Sequence, residues 1–329
     1  MSLPTPFETP EPGEAAKIAE MTDILRRKME RDYAVGSTLR DAHPKTLGLL
    51  CGTFQVEPGL PKELRVGVFK QSQRLDCWIR ASNASGTVQS DAIPDARGFA
   101  IKLMAPGAKG SRDDASLGQD FVLMNSPVMP LGTIALFRDA VYFAIESSFL
   151  LLVAKLLLTG NVRVLLELLA LGNNPGSPLD IRYWSTTPYR FGKDRAVKYS
   201  LLPTSAHSSR RQSRRGESYL GDAMQKHLQH HVATFDFCVQ LRKDGMPIED
   251  AGERWNETTS PFVKVATLQI PVQKFRSKKR ESLAEVLSFS PGHALPAHVP
   301  LGGLNRARVA IYAALSAFRH QRDKRVDLA

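Results

Sequence analysis

The feature that most restricts this chain is a series of short apolar runs with strand character, each bounded by Pro, Gly, Asp or Ser. They occupy residues 47–57, 64–69, 75–82, 98–104, 121–124, 180–185, 196–202, 233–242 and 262–270. No regular strand–helix–strand alternation links them, which excludes a doubly wound parallel sheet. An α+β fold is expected, with an antiparallel β-barrel of about eight strands and surrounding α-helices.

The helical segments complete that picture. Residues 14–34 place Ile18, Met21, Ile24, Leu25 and Met29 on one face of an amphipathic helix. Residues 304–325 form a second clear helix. The most apolar part of the chain, residues 131–172, is interrupted by Lys155, Arg163 and a Gly160-Asn161 turn. Those interruptions exclude a transmembrane span and predict two helices that are buried or face a second subunit, as in a homodimer. Peripheral contact with lipid or an acyl chain stays open. Residues 1–13, acidic and Pro-rich, read as a disordered lead without the layout of a secretory signal. Residues 14–329 read as one domain, and the expected compartment is the cytoplasm.

Composition limits the partners. Hydrophobic residues at 43% and charged residues at 23% describe a globular protein rather than a disordered one. The formal charge of +11 favours acidic ligands, whether nucleic acid, anionic lipid or a carboxylate. The charge-dense runs 208–215 and 274–280 lack interleaved aromatics and read as solvated loops, so no nucleic-acid partner is expected. Cys51, Cys77 and Cys238 match no zinc spacing and read as buried free thiols.

Two constellations carry chemistry. Arg40 and His43, three residues apart ahead of the first long strand, offer an acid–base group beside an anion site. Arg308, Tyr312 and Arg319 share one face of the last helix. Guanidiniums flanking a phenol favour its phenolate form, a hard ligand suited to ferric iron. On spacing alone, a structural histidine and a solvated basic face are the plainer readings. A third cluster, His227, His230 and His231, could offer two imidazoles to a metal from one helix face. It lacks a third ligand and reads as a surface helix end.

Taken in order, residues 40–56 (RDAHPKTLGLLCGTFQV), 79–82 (IRAS), 95–102 (DARGFAIK), 121–127 (FVLMNSP), 183–198 (YWSTTPYRFGKDRAVK) and 308–319 resemble the haem catalases. The resemblance runs from about Thr38 to Arg319, and the chain is similar to the compact catalase-related peroxidases, a catalase-like minimal core. It implies haem b, with Tyr312 as the iron ligand and Arg308 keeping that phenol ionised. It implies His43 as the distal acid–base residue, oriented by Ser82, with Phe137 over the distal face and Arg40, Arg80 and Arg319 on the propionates. Met124 stands where catalases carry the distal asparagine, and Met129 replaces a second distal aromatic. The implied activity is that of a haem-dependent peroxidase acting through a ferryl intermediate. It would reduce organic hydroperoxides and hydrogen peroxide with a small-molecule electron donor and show weak catalase activity. Allene-oxide-forming fatty-acid hydroperoxide isomerases are similar but carry threonine where this chain has Ala42. A non-catalytic haem- or lipid-binding barrel is the remaining alternative.

Overall fold

The computed structural model of the protein describes residues 8–106, 116–210 and 216–323. Residues 1–7 of the expected lead, 211–215 of the first basic run and 324–325 of the last helix lie outside that range. From Glu8 onward the chain is tied down, because Glu8 pairs with Arg306 at 2.6 Å.

Among the described residues, nine strands form one antiparallel sheet: β1 (Thr46–Val56), β2 (Arg74–Asn83), β3 (Arg97–Met104), β4 (Ser116–Met124), β5 (Tyr183–Trp184), β6 (Tyr189–Arg190), β7 (Ala196–Pro203), β8 (Ala233–Leu241) and β9 (Val263–Ile270). Neighbours run β5-β4-β3-β2-β1-β9-β8-β7, and β5 pairs back onto β7. Eight strands therefore close a barrel, while β6 pairs with β7 and is bridged on its other side from Tyr189 to Pro300. Closure removes the edges that an open sheet would leave unpaired.

Period-two alternation decides which side chains enter the barrel. Phe54, Ile79, Phe99, Ile101, Phe121, Leu123 and Phe237 are fully or almost fully buried in its interior. Their rings interlock, with Phe121 lying 4.6 Å from Phe237, 5.0 Å from Tyr199 and 5.8 Å from Phe54 between centroids. The intervening residues point outward. Strand register aligns Ser82 with Gly98 and Gly98 with Met124, and two residues away Arg80 with Ala100 and Ala100 with Val122. The outer wall of β2–β4 thus presents two rungs, Ser82–Gly98–Met124 and Arg80–Ala100–Val122, in which a small residue of β3 sits between a polar and an apolar side chain.

Among the described residues, seven helices surround the barrel. They are α1 (Glu14–Asp32), α2 (Ile134–Glu146), α3 (Phe149–Leu158), α4 (Val162–Leu171), α5 (Tyr219–His230), α6 (Lys278–Val286) and α7 (Gly303–Asp323). Met21 and Leu25 of α1, Ile134 and Phe137 of α2, and Ala307 and Ile311 of α7 form a second apolar cluster. Glu14, Glu8 and Glu249 converge on Arg306 and fasten the start of α1 to α7. Among the described residues, no helix is long and apolar enough to cross a membrane.

Several elements differ from the sequence reading. Residues 64–69 are not a strand but parts of two 3-10 turns, because Gly67 adopts φ 52°, outside the extended region. Only Tyr183–Trp184 of the run 180–185 is strand, since Ser177 caps a 3-10 turn over Pro178–Asp180. The segment 131–172 holds three helices instead of two. The Ser147-Ser148 pair breaks the first, and the Ser148 side chain caps the next. Nor are the second and third of these buried: α3 buries only Leu152 and Leu156, and α4 buries nothing. The second basic run is not all loop. Ser277 caps α6, and the Arg280 guanidinium lies over the Trp78 ring. Cys77 and Cys238 are buried free thiols, whereas Cys51 is half-buried.

Candidate active site

One cavity of about 1230 Å³ lies between the outer wall of β2–β4 and the layer of α1, α2 and α7. Arg40, His43, Arg80, Ser82, Met124, Phe137, Arg308, Tyr312 and Arg319 all line it. These residues are scattered across 280 positions of the chain, and no two of the elements that carry them could form the pocket alone.

His43 enters from the loop ahead of β1. Its backbone sits at φ 57°, in the left-handed region that a residue with a Cβ rarely occupies. The Arg80 Nη2 donates to the His43 carbonyl at 2.6 Å and holds this conformation. The His43 Nδ1 lies 3.0 Å from the Ser82 Oγ, so the ring is fixed with Nε2 left over for a ligand. Burial first, then the positive charges of Arg80, Arg308 and Arg40, push its pKa down to about 3. The ring is therefore neutral at physiological pH and able to accept a proton.

A residue whose role spacing did not disclose makes room for this ring. A Cβ on Gly98 would lie 2.7 Å from the His43 Nδ1 and 2.8 Å from the Ser82 Oγ. Gly98 stands in the quoted stretch 95–102, but only the register that seats it between Ser82 and Met124 reveals why it must be small. Met124 puts a thioether into the cavity. The adjacent Asn125 turns away, its Oδ1 accepting from the Arg97 backbone N–H at 2.6 Å.

From the helical side, α7 contributes Arg308 and Tyr312 one turn apart. The guanidinium lies over the Tyr312 ring, 5.8 Å from its centroid, and donates to Thr187 Oγ1 and Asn305 Oδ1 at 3.2 Å each. Burial disfavours the Arg308 charge, but the Tyr312 and Tyr189 phenols outweigh it and raise the pKa. Thr187 follows Thr186, which lines the cavity at φ 58°.

Three further guanidiniums gather at one end. Arg40 and Arg319 share the Glu285 carboxylate, at 3.0 and 3.3 Å. Arg80 is buried, and its Nε has no hydrogen-bond partner among the described residues. Burial and the proximity of Arg40 and Arg319 lower its pKa well below the usual arginine range. A buried donor left unmatched beside two more cations is the signature of an anion-binding end. Glu285, 245 residues from Arg40, carries no local sequence signal.

The histidine cluster stands elsewhere. His227 is buried rather than on the surface, and its ring meets that of His207 at 4.7 Å, while His207 stacks on His231 at 4.2 Å. None of these rings lines the cavity, and among the described residues no group of three His, Cys, Asp or Glu side chains is arranged to hold a metal.

With this geometry in view, the solved structures are informative. The protein superimposes on catalase A from Saccharomyces cerevisiae with a TM-score of 0.70 at 16% identity, over 90% of this chain and 64% of that one. A fungal catalase gives 0.68 at 15% identity, over 90% and 63%. The fold is catalase-like. A bacterial catalase gives 0.66 at 13% identity, over 92% and 62%. The chain therefore spans somewhat under two thirds of the length of these catalases. No protein-family model and no curated protein sequence matches it. Likeness at 13–16% identity is likeness of fold, so the catalase-like frame leaves the chemistry to be argued from the cavity.

Proposed function

We propose that the protein is a haem-dependent peroxidase that reduces organic hydroperoxides and hydrogen peroxide, with weak catalase activity. The observation that carries this reading is one cavity holding a neutral, oriented imidazole, a phenol beside a guanidinium, and an arginine-rich end with an unmatched buried donor.

These residues fit haem b. The planar forks of Arg40, Arg80 and Arg319 suit two propionates, which would supply the acceptor that Arg80 Nε lacks. Tyr312 would ligate the iron as phenolate, and Arg308 would stabilise that anion. Phe137 and the thioether of Met124 would pack against the distal side. When bound, the group supplies the two electrons that break the peroxide O–O bond, and an external small-molecule donor later restores them.

The chain's own residues manage protons and access. His43 takes the proton from the bound peroxide oxygen at Nε2 and returns it to the departing oxygen, so that an alcohol or water leaves instead of an anion. With two protons and two electrons, each hydroperoxide yields one alcohol and one water. The hydrogen bond to Ser82 holds the imidazole in line. Met124 provides no amide to orient a second hydrogen peroxide molecule, which disfavours oxygen release.

Reconstitution with haem b tests this reading. A ferric tyrosinate spectrum is expected, and Tyr312→Phe should abolish or grossly alter it. Cumene hydroperoxide with a small-molecule donor should yield the alcohol. Unchanged colour in Tyr312→Phe, ketol products from a fatty-acid hydroperoxide, or oxygen release at the rate of a true catalase would each overturn it.

A further inference from the structure

The cavity has one wall that the protein leaves bare on its far side. The helix α4 supplies Leu168, Leu169 and Leu171 to the lining, yet none of its ten residues is buried. Its neighbour α3 turns Leu150 and Leu158 outward at 77% and 88% exposure, and α4 does the same with Leu166 at 62%. A contiguous aliphatic surface of this kind marks a contact site.

We propose that the α3–α4 hairpin docks on an anionic lipid surface and that the cavity takes fatty-acyl hydroperoxides from it. The substrate half of this inference rests on the peroxidase reading above, whereas the docking half does not.

Several observations favour a lipid surface over a second copy of the chain. Both helices are ten residues long, about 15 Å, enough to lie in a membrane interface and half of what a span requires. The outward apolar side chains are chiefly leucines, with Phe149, and neither helix carries the Trp or Tyr that anchor protein interfaces. The charges on the hairpin are paired, Lys155 with Asp139 at 2.6 Å and Arg163 with Glu167 at 2.9 Å, so docking submerges no isolated ion. The chain as a whole carries +11, which draws it to anionic headgroups. Finally, the same helix that would touch the leaflet is part of the cavity wall. Met129, Phe137 and Val141 add apolar lining to the same cavity that His43 enters.

Flotation of the full chain with vesicles, in the absence of haem, tests the docking. The protein should float with mixed phosphatidylcholine–phosphatidylglycerol vesicles and less with phosphatidylcholine alone. The triple variant Leu150→Glu, Leu158→Glu, Leu166→Glu, none of which lines the cavity, should bind at least about tenfold more weakly. A separate Leu158→Trp variant should show a blue-shifted emission when vesicles are added. In haem-loaded protein the triple variant should keep the full rate on dissolved cumene hydroperoxide. Its rate on linoleoyl hydroperoxide embedded in vesicles should fall by about tenfold or more. Wild-type protein that stays in solution overturns the docking. So does a triple variant that falls from dimer to monomer with vesicle binding intact, which would assign the patch to a second copy. Docking that survives without any hydroperoxide reduction overturns the substrate half and the peroxidase reading together, and leaves the docking standing.

Discussion

The two faces of strands β2–β4 could hardly differ more, although each residue on one is covalently next to a residue on the other. Inward lie Ile79, Ala81, Phe99, Ile101, Phe121 and Leu123, dry and interlocked. Outward lie Arg80, Ser82, Gly98 and Met124, on a wall that carries an unmatched buried guanidinium nitrogen and faces a left-handed histidine. The interior is satisfied by the chain itself. The outer wall leaves the Arg80 Nε without a partner among the described residues. A period-two strand lets one stretch of sequence do both, with stability assigned to one parity and chemistry to the other.

Exchanging the two losses breaks this comparison if it is wrong. Phe121→Ala empties the centre of the ring cluster and should cost about 3–5 kcal/mol in denaturant unfolding, with the surviving folded protein still active. His43→Ala should do the reverse. It removes the proton carrier and lowers peroxide turnover by roughly 10²–10⁴-fold, while removing a side chain whose backbone is strained and whose ring faces a cavity. Its unfolding free energy should stay within about 1 kcal/mol of wild type. A His43→Ala protein as unstable as Phe121→Ala would show that the cavity wall is ordinary core.

A pair of histidines sharpens the contrast. His298 is fully buried on the barrel side, where its Nε2 accepts from the Val68 N–H and Nδ1 faces the Tyr199 hydroxyl. Burial pushes its pKa down to about 4. The unfolded chain therefore takes a proton at this site before the folded one does. Between the unperturbed 6.5 and about 4, lowering the pH favours unfolding, and the stability is fully present only above that window. Roughly 2 kcal/mol should be lost at pH 5 relative to pH 8 through this group. His298→Gln keeps an acceptor for Val68 and should flatten that slope in urea unfolding. The His43 pKa is depressed partly by Arg80, Arg308 and Arg40, so an anionic ligand among those charges should raise it and leave His298 unmoved. NMR titration of the two rings with and without ligand measures the difference.

The barrel was legible in the sequence because alternation and turn clusters repeat over many residues, and even the mis-assigned run at 64–69 buries Val68 and Phe69 in the core. Of the alternatives open for residues 131–172, burial within the chain fails for α3 and α4, because apolar composition predicts burial only when the rest of the chain offers something to bury against. The pieces of the candidate site were visible as Arg40–His43 and Arg308–Tyr312, but spacing alone did not bring them together, since nothing local states that α7 faces β2; only the resemblance to the haem catalases implied it. Glu285 and Gly98 lay deeper still. One is chosen by a pairing across 245 positions, and the other by what it lacks.

Two glycines on the strands that flank β2 give the finest division between the faces. A Cβ on Gly52 of β1 would stand 2.7 Å from the Ile79 side chain and 3.0 Å from the Gln269 carbonyl, both parts of the barrel. A Cβ on Gly98 would instead press on the His43 ring and the Ser82 hydroxyl. Both substitutions add the same methyl group, and neither glycine needs a positive φ, so backbone freedom does not separate them. Gly52→Ala must shift a packed side chain against a strand and should cost about 1–3 kcal/mol of stability with turnover of the folded protein unchanged. Gly98→Ala can be relieved by moving two side-chain ends, the imidazole and the Ser82 hydroxyl, so its stability cost should be smaller, while displacement of the ring should lower turnover by about tenfold or more. Denaturant curves and single-turnover rates on the same two proteins read both quantities. If Gly98→Ala instead loses stability and keeps its rate, His43 is not held where the chemistry needs it, and the outward face of β3 belongs to the scaffold.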